Sequence, residues 1–161
     1  MRIIPGEAKG RTLLAPKARI LRPTTDRVKE SLFNILSVEG KRFLDLFAGS
    51  GSVGLEAVSR GASRVILVES QRACADAIRT NIERCGFLNM PLEEPEEGGV
   101  QDVEVINCPV ERALRLLGHR GERFDVIFAD PPYGRNLIDE TLRLVRTQAL
   151  MAPDGVLVVQ H

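Results

Sequence analysis

Tryptophan is absent from these 161 residues, tyrosine occurs once, and six phenylalanines complete an aromatic set of only 4%. Histidine is nearly missing too: His119 and the terminal His161 are far apart and form no cluster, which argues against a zinc site and a Ser-His-Asp triad. The three cysteines, Cys74, Cys85 and Cys108, are odd in number and lack paired metal spacing, so they read as free thiols in a reducing compartment, with no metal. No apolar run approaches the roughly 20 residues of a membrane span, and the N-terminus lacks the apolar stretch of a signal peptide. The expectation is a cytoplasmic protein without a membrane partner. Its length suits one domain with a proper core, residues 1–161, and a monomer is the simplest assembly.

Net charge is zero, yet the charges are unevenly placed. Residues 1–42 carry ten Lys or Arg against four acids, and the remainder carries twelve against eighteen. A basic arm ahead of a mildly acidic body suggests that a polyanion docks at the N-terminal end; a solvated basic face is the plain alternative. Residues 1–22 hold short apolar pieces broken by Pro5, Gly6, Gly10 and Pro16, which predicts a small β-hairpin extension. Residues 23–38 predict a helix capped by Thr24 or Thr25, with Val28, Leu32, Ile35 and Leu36 as its apolar stripe.

From residue 42 onward strands and helices alternate. Strands are expected at 42–47, 64–69, 103–107, 124–129 and 156–160, with helices near 52–60, 71–85, 110–118 and 136–147. That rhythm predicts an α/β fold with a mostly parallel sheet covered by helices on both faces over residues 23–161. Residues 88–101, with two prolines, two glycines and four glutamates, read as an exposed, flexible acidic loop without chemistry.

Two motifs carry chemistry. "DLFAGSG" (45–51) closes the first strand. Gly49 and Gly51 permit a tight turn and a close ligand approach at the start of the next helix. Gly49, Gly51 and Gly54 fit a dinucleotide fingerprint, but Asp45 would repel a pyrophosphate. A carboxylate there suits a cationic ligand with an amino group, such as S-adenosylmethionine. Glu69 ends the second strand, where an acid can accept two hydrogen bonds from a ribose diol. The second motif is "DPPY" (130–133), at the end of the fourth strand. Pro131 and Pro132 stiffen the turn and remove backbone donors, leaving the Asp130 carboxylate and the Pro131 carbonyl as acceptors. Such acceptors can orient an exocyclic amine toward a methyl donor, and the Tyr133 ring offers a stacking face to a planar base extruded from a helix.

Together these motifs resemble the class I S-adenosylmethionine-dependent methyltransferases that modify exocyclic amines. "MRIIPGEAKGR", "RPTTDRVKESLFNIL" (22–36) and "DLFAGSGSVGLEAVSRGA" (45–62) closely resemble the RsmD-type enzymes of bacteria, which methylate a guanine N2 of small-subunit (16S) ribosomal RNA. The resemblance runs from residue 1 to about 161. It implies a Rossmann-like methyltransferase fold, S-adenosylmethionine as cofactor, and ribosomal RNA or a small-subunit assembly intermediate as partner. It implies that Asp45, Phe47, Ala48, Gly49, Ser50 and Gly51 line the methionine end of the cofactor, with Glu69 and Ser70 beside the ribose. Thr25 and Arg27 would close over it. Asp130, Pro131, Pro132 and Tyr133 would form the base pocket. Arg2, Lys9, Arg11, Lys17 and Arg22 would meet RNA phosphates.

Three departures stand out. Pro109 occupies the place where such enzymes often present an acid or amide to the adenine, leaving the Val110 N–H as the expected contact. The sequence stops just after the fifth strand, without the antiparallel hairpin usual in the family; a shortened chain or a partner over that edge would each account for this. The acidic loop is also longer than usual. Rival readings are an adenine N6 methyltransferase acting on RNA or DNA, a protein glutamine methyltransferase, a non-catalytic RNA-binding assembly factor on the same fold, and an NAD-linked oxidoreductase.

Overall fold

The computed structural model describes residues 1–4, 6, 8–16, 24–87, 102–133 and 136–160. Lys17, Arg22 and the acidic segment 88–101 lie outside the described residues. Five strands, β1 (Arg42–Leu46), β2 (Arg64–Val68), β3 (Asp102–Ile106), β4 (Phe124–Ala129) and β5 (Met151–Val159), form one sheet in the order β3-β2-β1-β4-β5. Every pairing is parallel. The chain steps outward from β1 to β3 and then returns to place β4 beside β1. The order therefore reverses between β1 and β4, which opens a crevice at their carboxyl ends.

Strand side chains alternate between the two faces, and the core divides accordingly. Phe43, Val65, Leu67, Val126 and Phe128 pack with Leu55, Ile78 and Ile82, from helices α2 (Ser52–Ser59) and α3 (Arg72–Cys85). Leu44, Leu46, Ile66, Val68, Ile127 and Ala129 pack with Leu114, Leu117, Leu144 and Val145, from α4 (Val110–His119) and α5 (Leu137–Thr147). Each fully buried large aliphatic or aromatic side chain contributes about 1.5–3 kcal/mol. At the opposite end from the crevice, Arg64 meets Asp102, Glu104 at 3.0 Å and Glu122 at 2.8 Å, clamping the strand starts together.

The N-terminal hairpin is short. Arg2 and Thr12 bridge antiparallel, and the Ile3 N–H donates to the Arg11 carbonyl at 3.0 Å. It lies on the helices. The Ile4 N–H donates to Glu56 Oε2 at 3.0 Å, and the Ala8 N–H to Ser59 Oγ at 3.1 Å. Asn81 completes the attachment, accepting from the Leu14 N–H at 2.8 Å and donating to the Leu14 carbonyl at 3.0 Å.

Two expectations need correction. Helix α1 spans Asp26–Ile35, shorter than 23–38, and it buries Lys29 and Phe33. Val28 and Ile35 of the expected apolar stripe are exposed, Ile35 by 82%. Lys29 turns inward because its ammonium finds partners: the Arg2 carbonyl at 2.7 Å, Asp26 at 3.4 Å and the buried Glu56 at 3.8 Å. One of the ten N-terminal cations is therefore an internal strut and unavailable to a polyanion. Strand β5 begins at Met151, before the expected 156. Phe124 pairs with Met151 and Val126 with Val156, so the turn-like Ala152–Gly155 stretch is a bulge inside one strand, with Asp154 at φ 60°.

Candidate functional site

Register places the site. Ile106, Val68, Leu46, Ala129 and Val159 are successive in-register partners at the carboxyl ends of β3, β2, β1, β4 and β5. The next residue in each strand is therefore Asn107, Glu69, Phe47, Asp130 and Gln160, a row across the lip of the crevice. Adjacent members are roughly 5 Å apart by strand spacing.

The central member begins the glycine turn. Phe47 has φ 60°, a left-handed conformation rare for a bulky residue, which points to local strain of about 1–3 kcal/mol. The turn is held by the Ala48 N–H donating to the Val68 carbonyl at 2.9 Å and the Gly51 N–H donating to the Ala48 carbonyl at 2.8 Å. Gly51, at φ 80°, caps α2. Gly54 has a different reason. A Cβ there would lie 2.6 Å from Leu67 and 3.0 Å from Asp45 Oδ2, so only glycine lets α2 approach β1 and β2.

That close approach buries Asp45, whose Oδ2 accepts the Gly54 N–H at 2.8 Å. Burial pushes its carboxyl from 3.8 up to about 7; the Gly54 hydrogen bond opposes this, and the charges of Asp130 and Glu69 add to it. Three carboxyl groups thus converge at the mouth of the glycine turn. Glu69 is fixed by two backbone donors, Gly49 at 2.9 Å to Oε2 and Gln71 at 2.8 Å to Oε1. Each oxygen keeps a second lone-pair direction.

The remaining predicted residues fall as follows. Pro131 is buried, while Pro132 and Tyr133 are exposed, Tyr133 by 72%. Asp130 leaves β4 beside Leu46, its N–H 3.5 Å from the Leu46 carbonyl. Ser50 is buried, and its hydroxyl donates to Met1 Sδ at 3.3 Å. Thr25 caps α1 by accepting from the Val28 N–H at 3.3 Å, and exposed Arg27 lies in the first turn of the same helix. Pro109 caps α4, leaving Val110 to begin it with an N–H that has no intrahelical acceptor. Ser70 is exposed, and its carbonyl accepts from Asn107 at 3.1 Å. Of the predicted RNA contacts, Lys9 and Arg11 are exposed on the hairpin, and Arg2 lies 3.7 Å from Asp26.

Sequence reasoning missed two members of the row. Asn107 donates to the Glu69 carbonyl at 2.8 Å and so ties β3 to the acid-bearing end of β2. Gln160 buries a side-chain oxygen that has no partner among the described residues. Only pairing register, which sequence does not reveal, places these two amides beside the acids. Among the described residues no group of His, Cys, Asp and Glu could hold a metal ion, and no helix is long and apolar enough to cross a membrane.

The model of the family described as "Conserved hypothetical protein 95" matches residues 1–161. Ribosomal RNA small subunit methyltransferase D of Escherichia coli (strain K12) is 35% identical over 162 residues, covering 99% of this chain and 74% of that protein. The solved structure of a hypothetical protein from Thermus thermophilus superposes with a TM-score of 0.82 at 34% identity, covering 100% of this chain and 85% of that one. A protein crystallised with SAH superposes with a TM-score of 0.63 over 83% of this chain and 34% of its own; at 19% identity that likeness speaks for the fold alone. The fold is the Rossmann-like fold of class I methyltransferases.

Proposed function

The chain belongs to the family described as Conserved hypothetical protein 95, and from that premise we propose that it transfers a methyl group from S-adenosylmethionine to the exocyclic N2 amine of a guanine in small-subunit (16S) ribosomal RNA. The observation that carries this is the convergence of Asp45, Glu69 and Asp130 on the glycine turn at the switch point of the sheet. Anionic, partly desolvated and backed by a helix start, the crevice favours a ligand with cationic and hydroxyl-bearing parts and disfavours a pyrophosphate.

The residues fit the cofactor. Glu69 would hold the ribose hydroxyls with its remaining lone pairs. Asp45 and the Phe47–Gly51 turn would meet the methionine end. The Val110 N–H would meet the adenine, and Thr25 and Arg27 of α1 would close over the cofactor. When bound, the cofactor supplies an electrophilic methyl on a positively charged sulfur. Asp130 and the Pro131 carbonyl accept the two N–H bonds of the guanine amine, which aims the nitrogen lone pair at that methyl. As the nitrogen becomes cationic, the Asp130 carboxylate stabilises the charge and then takes up the proton. Tyr133, exposed at the lip, stacks on the base once it is splayed out. Alignment is the main source of rate; well-oriented reactants gain about 7–11 kcal/mol, with electrostatic support adding to it.

The partner is the ribosomal RNA or an assembly intermediate of the small subunit, and the protein meets it in the cytoplasm. Calorimetric titration with S-adenosylmethionine, followed by transfer of a labelled methyl to 16S RNA, tests this reading. Saturable cofactor binding with transfer is expected. RNA binding without transfer would make the protein an assembly factor, and nicotinamide binding would make it an oxidoreductase.

A further inference from the structure

Most described arginines on this surface sit against acids. Arg79 lies 3.0 Å from Asp76, Arg60 lies 3.1 Å from Glu56, and Arg2 lies 3.7 Å from Asp26. Arg11 and Arg84 differ. Arg11, on the hairpin, donates from Nη1 to the Arg84 carbonyl in the last turn of α3. Among the described residues neither guanidinium has a carboxylate partner. Both charges act on the Cys85 thiol, which burial pushes up and the two arginines pull down. Arg11, Thr12 and Arg84 line an open concavity of about 350 Å³.

Holding two like charges together on a surface is unfavourable unless something anchors them or something negative occupies the space between. The Arg84 carbonyl anchors Arg11, because the C-terminal turn of a helix presents acceptors without intrahelical partners. Among the described residues nothing comparable holds the Arg84 guanidinium, which is exposed. Two planar donors and a hydroxyl around one concavity match the geometry of a phosphate, which accepts several charge-assisted hydrogen bonds at once.

We infer that Arg11, Thr12 and Arg84 form a docking site for one backbone phosphate of the RNA substrate, remote from the point of methyl transfer. This inference rests on the RNA-substrate reading above. The remoteness follows from α3. Arg72 begins the helix near the acid row and Arg84 lies twelve residues on, so the two ends are about 18 Å apart at 1.5 Å per residue. A phosphate held there belongs to a nucleotide well away from the methylated one. The site therefore contributes to capture of the RNA and not to alignment of the amine.

The test uses Arg84→Gln, which keeps the backbone carbonyl that Arg11 requires. Arg143→Gln on α5, which covers the other face of the sheet, serves as a matched charge control. Binding of a 16S RNA transcript and methyl transfer to it are measured from 50 to 200 mM salt. Arg84→Gln should raise the RNA KM about 3- to 10-fold, leave kcat and the S-adenosylmethionine Kd unchanged, and reduce the slope of log K against log salt by about 0.7–0.9. Arg143→Gln should leave KM and slope at wild-type values. An unchanged slope in Arg84→Gln, an equal loss in both variants, or a fall in kcat instead of a rise in KM overturns the docking site while the substrate reading stands. If the wild-type protein neither binds nor methylates the transcript, the substrate reading fails and the docking site falls with it.

Discussion

Replacing Asp45 with asparagine should make the cofactor-free protein more stable and unable to do its work, and the stability gain should depend on pH. Asp45 is buried, and its carboxyl is raised from 3.8 to about 7, mostly by loss of water and further by Asp130 and Glu69. Between those two values the native state holds a proton that the unfolded chain has released. Native protein thus binds more protons, so stability falls as pH rises from about 4 to 7 and then levels off. The gap of roughly 3 units corresponds to about 4 kcal/mol of native-state penalty at pH 8. At pH 5 only the unfolded chain has ionised, and the penalty is about 2 kcal/mol. Asparagine keeps the shape and the acceptor for the Gly54 N–H, but its amide costs about 1–3 kcal/mol to bury. That cost does not change with pH, so it cancels when two pH values are compared. Urea unfolding of both proteins should therefore show the Asp45→Asn advantage about 2 kcal/mol larger at pH 8 than at pH 5. The variant should also lose at least about tenfold in S-adenosylmethionine affinity, since one missing charge contact amounts to about 1.4 kcal/mol or more. An advantage that is the same at both pH values would refute the claim that Asp45 is a carboxyl held against its own ionisation.

Three other perturbations follow from the same geometry. Asp130→Ala should abolish methyl transfer while leaving cofactor affinity within a few fold by calorimetry; an active variant would remove Asp130 from the amine. Lys29→Met removes one of two cations from the buried Glu56, which keeps Arg60 at 3.1 Å, and strips the Arg2 carbonyl of its donor; it should lower stability by about 1–3 kcal/mol in urea unfolding, and a loss below about 0.5 kcal/mol would contradict the strut role. Gly54→Ala forces a methyl group to within 2.6 Å of Leu67 and should lower stability by about 1–3 kcal/mol and weaken cofactor binding. Unaltered binding would mean that the close approach of α2 does not shape the crevice.

Much of this was legible in the sequence for definable reasons. The apolar runs at β1, β2 and β4 are buried on both faces, so they read as near-continuous hydrophobic strands, and the acids within or just past them, Asp45, Glu69 and Asp130, were visible as breaks in those runs. The glycine turn declared itself through spacing. Local pattern failed where tertiary partners decided the outcome. Lys29 was counted with the basic arm, and it is the Arg2 carbonyl, Asp26 and the buried Glu56 together that make its burial tolerable. The fifth strand was expected to start at 156, and only pairing with β4 draws Met151 into it and makes Ala152–Gly155 a bulge. Asn107 and Gln160 join the site through register alone.

The central claim is that an amine on a guanine of 16S RNA is presented at the tip of β4 to a methyl donor seated beyond β1 and β2. Its most direct measurement is mass spectrometry of nucleosides digested from a 16S transcript after incubation with this protein and methyl-deuterated S-adenosylmethionine. The account predicts one deuterated product, N2-methylguanosine, absent with Asp130→Ala. Deuterium found in N6-methyladenosine, in the protein, or nowhere would contradict it.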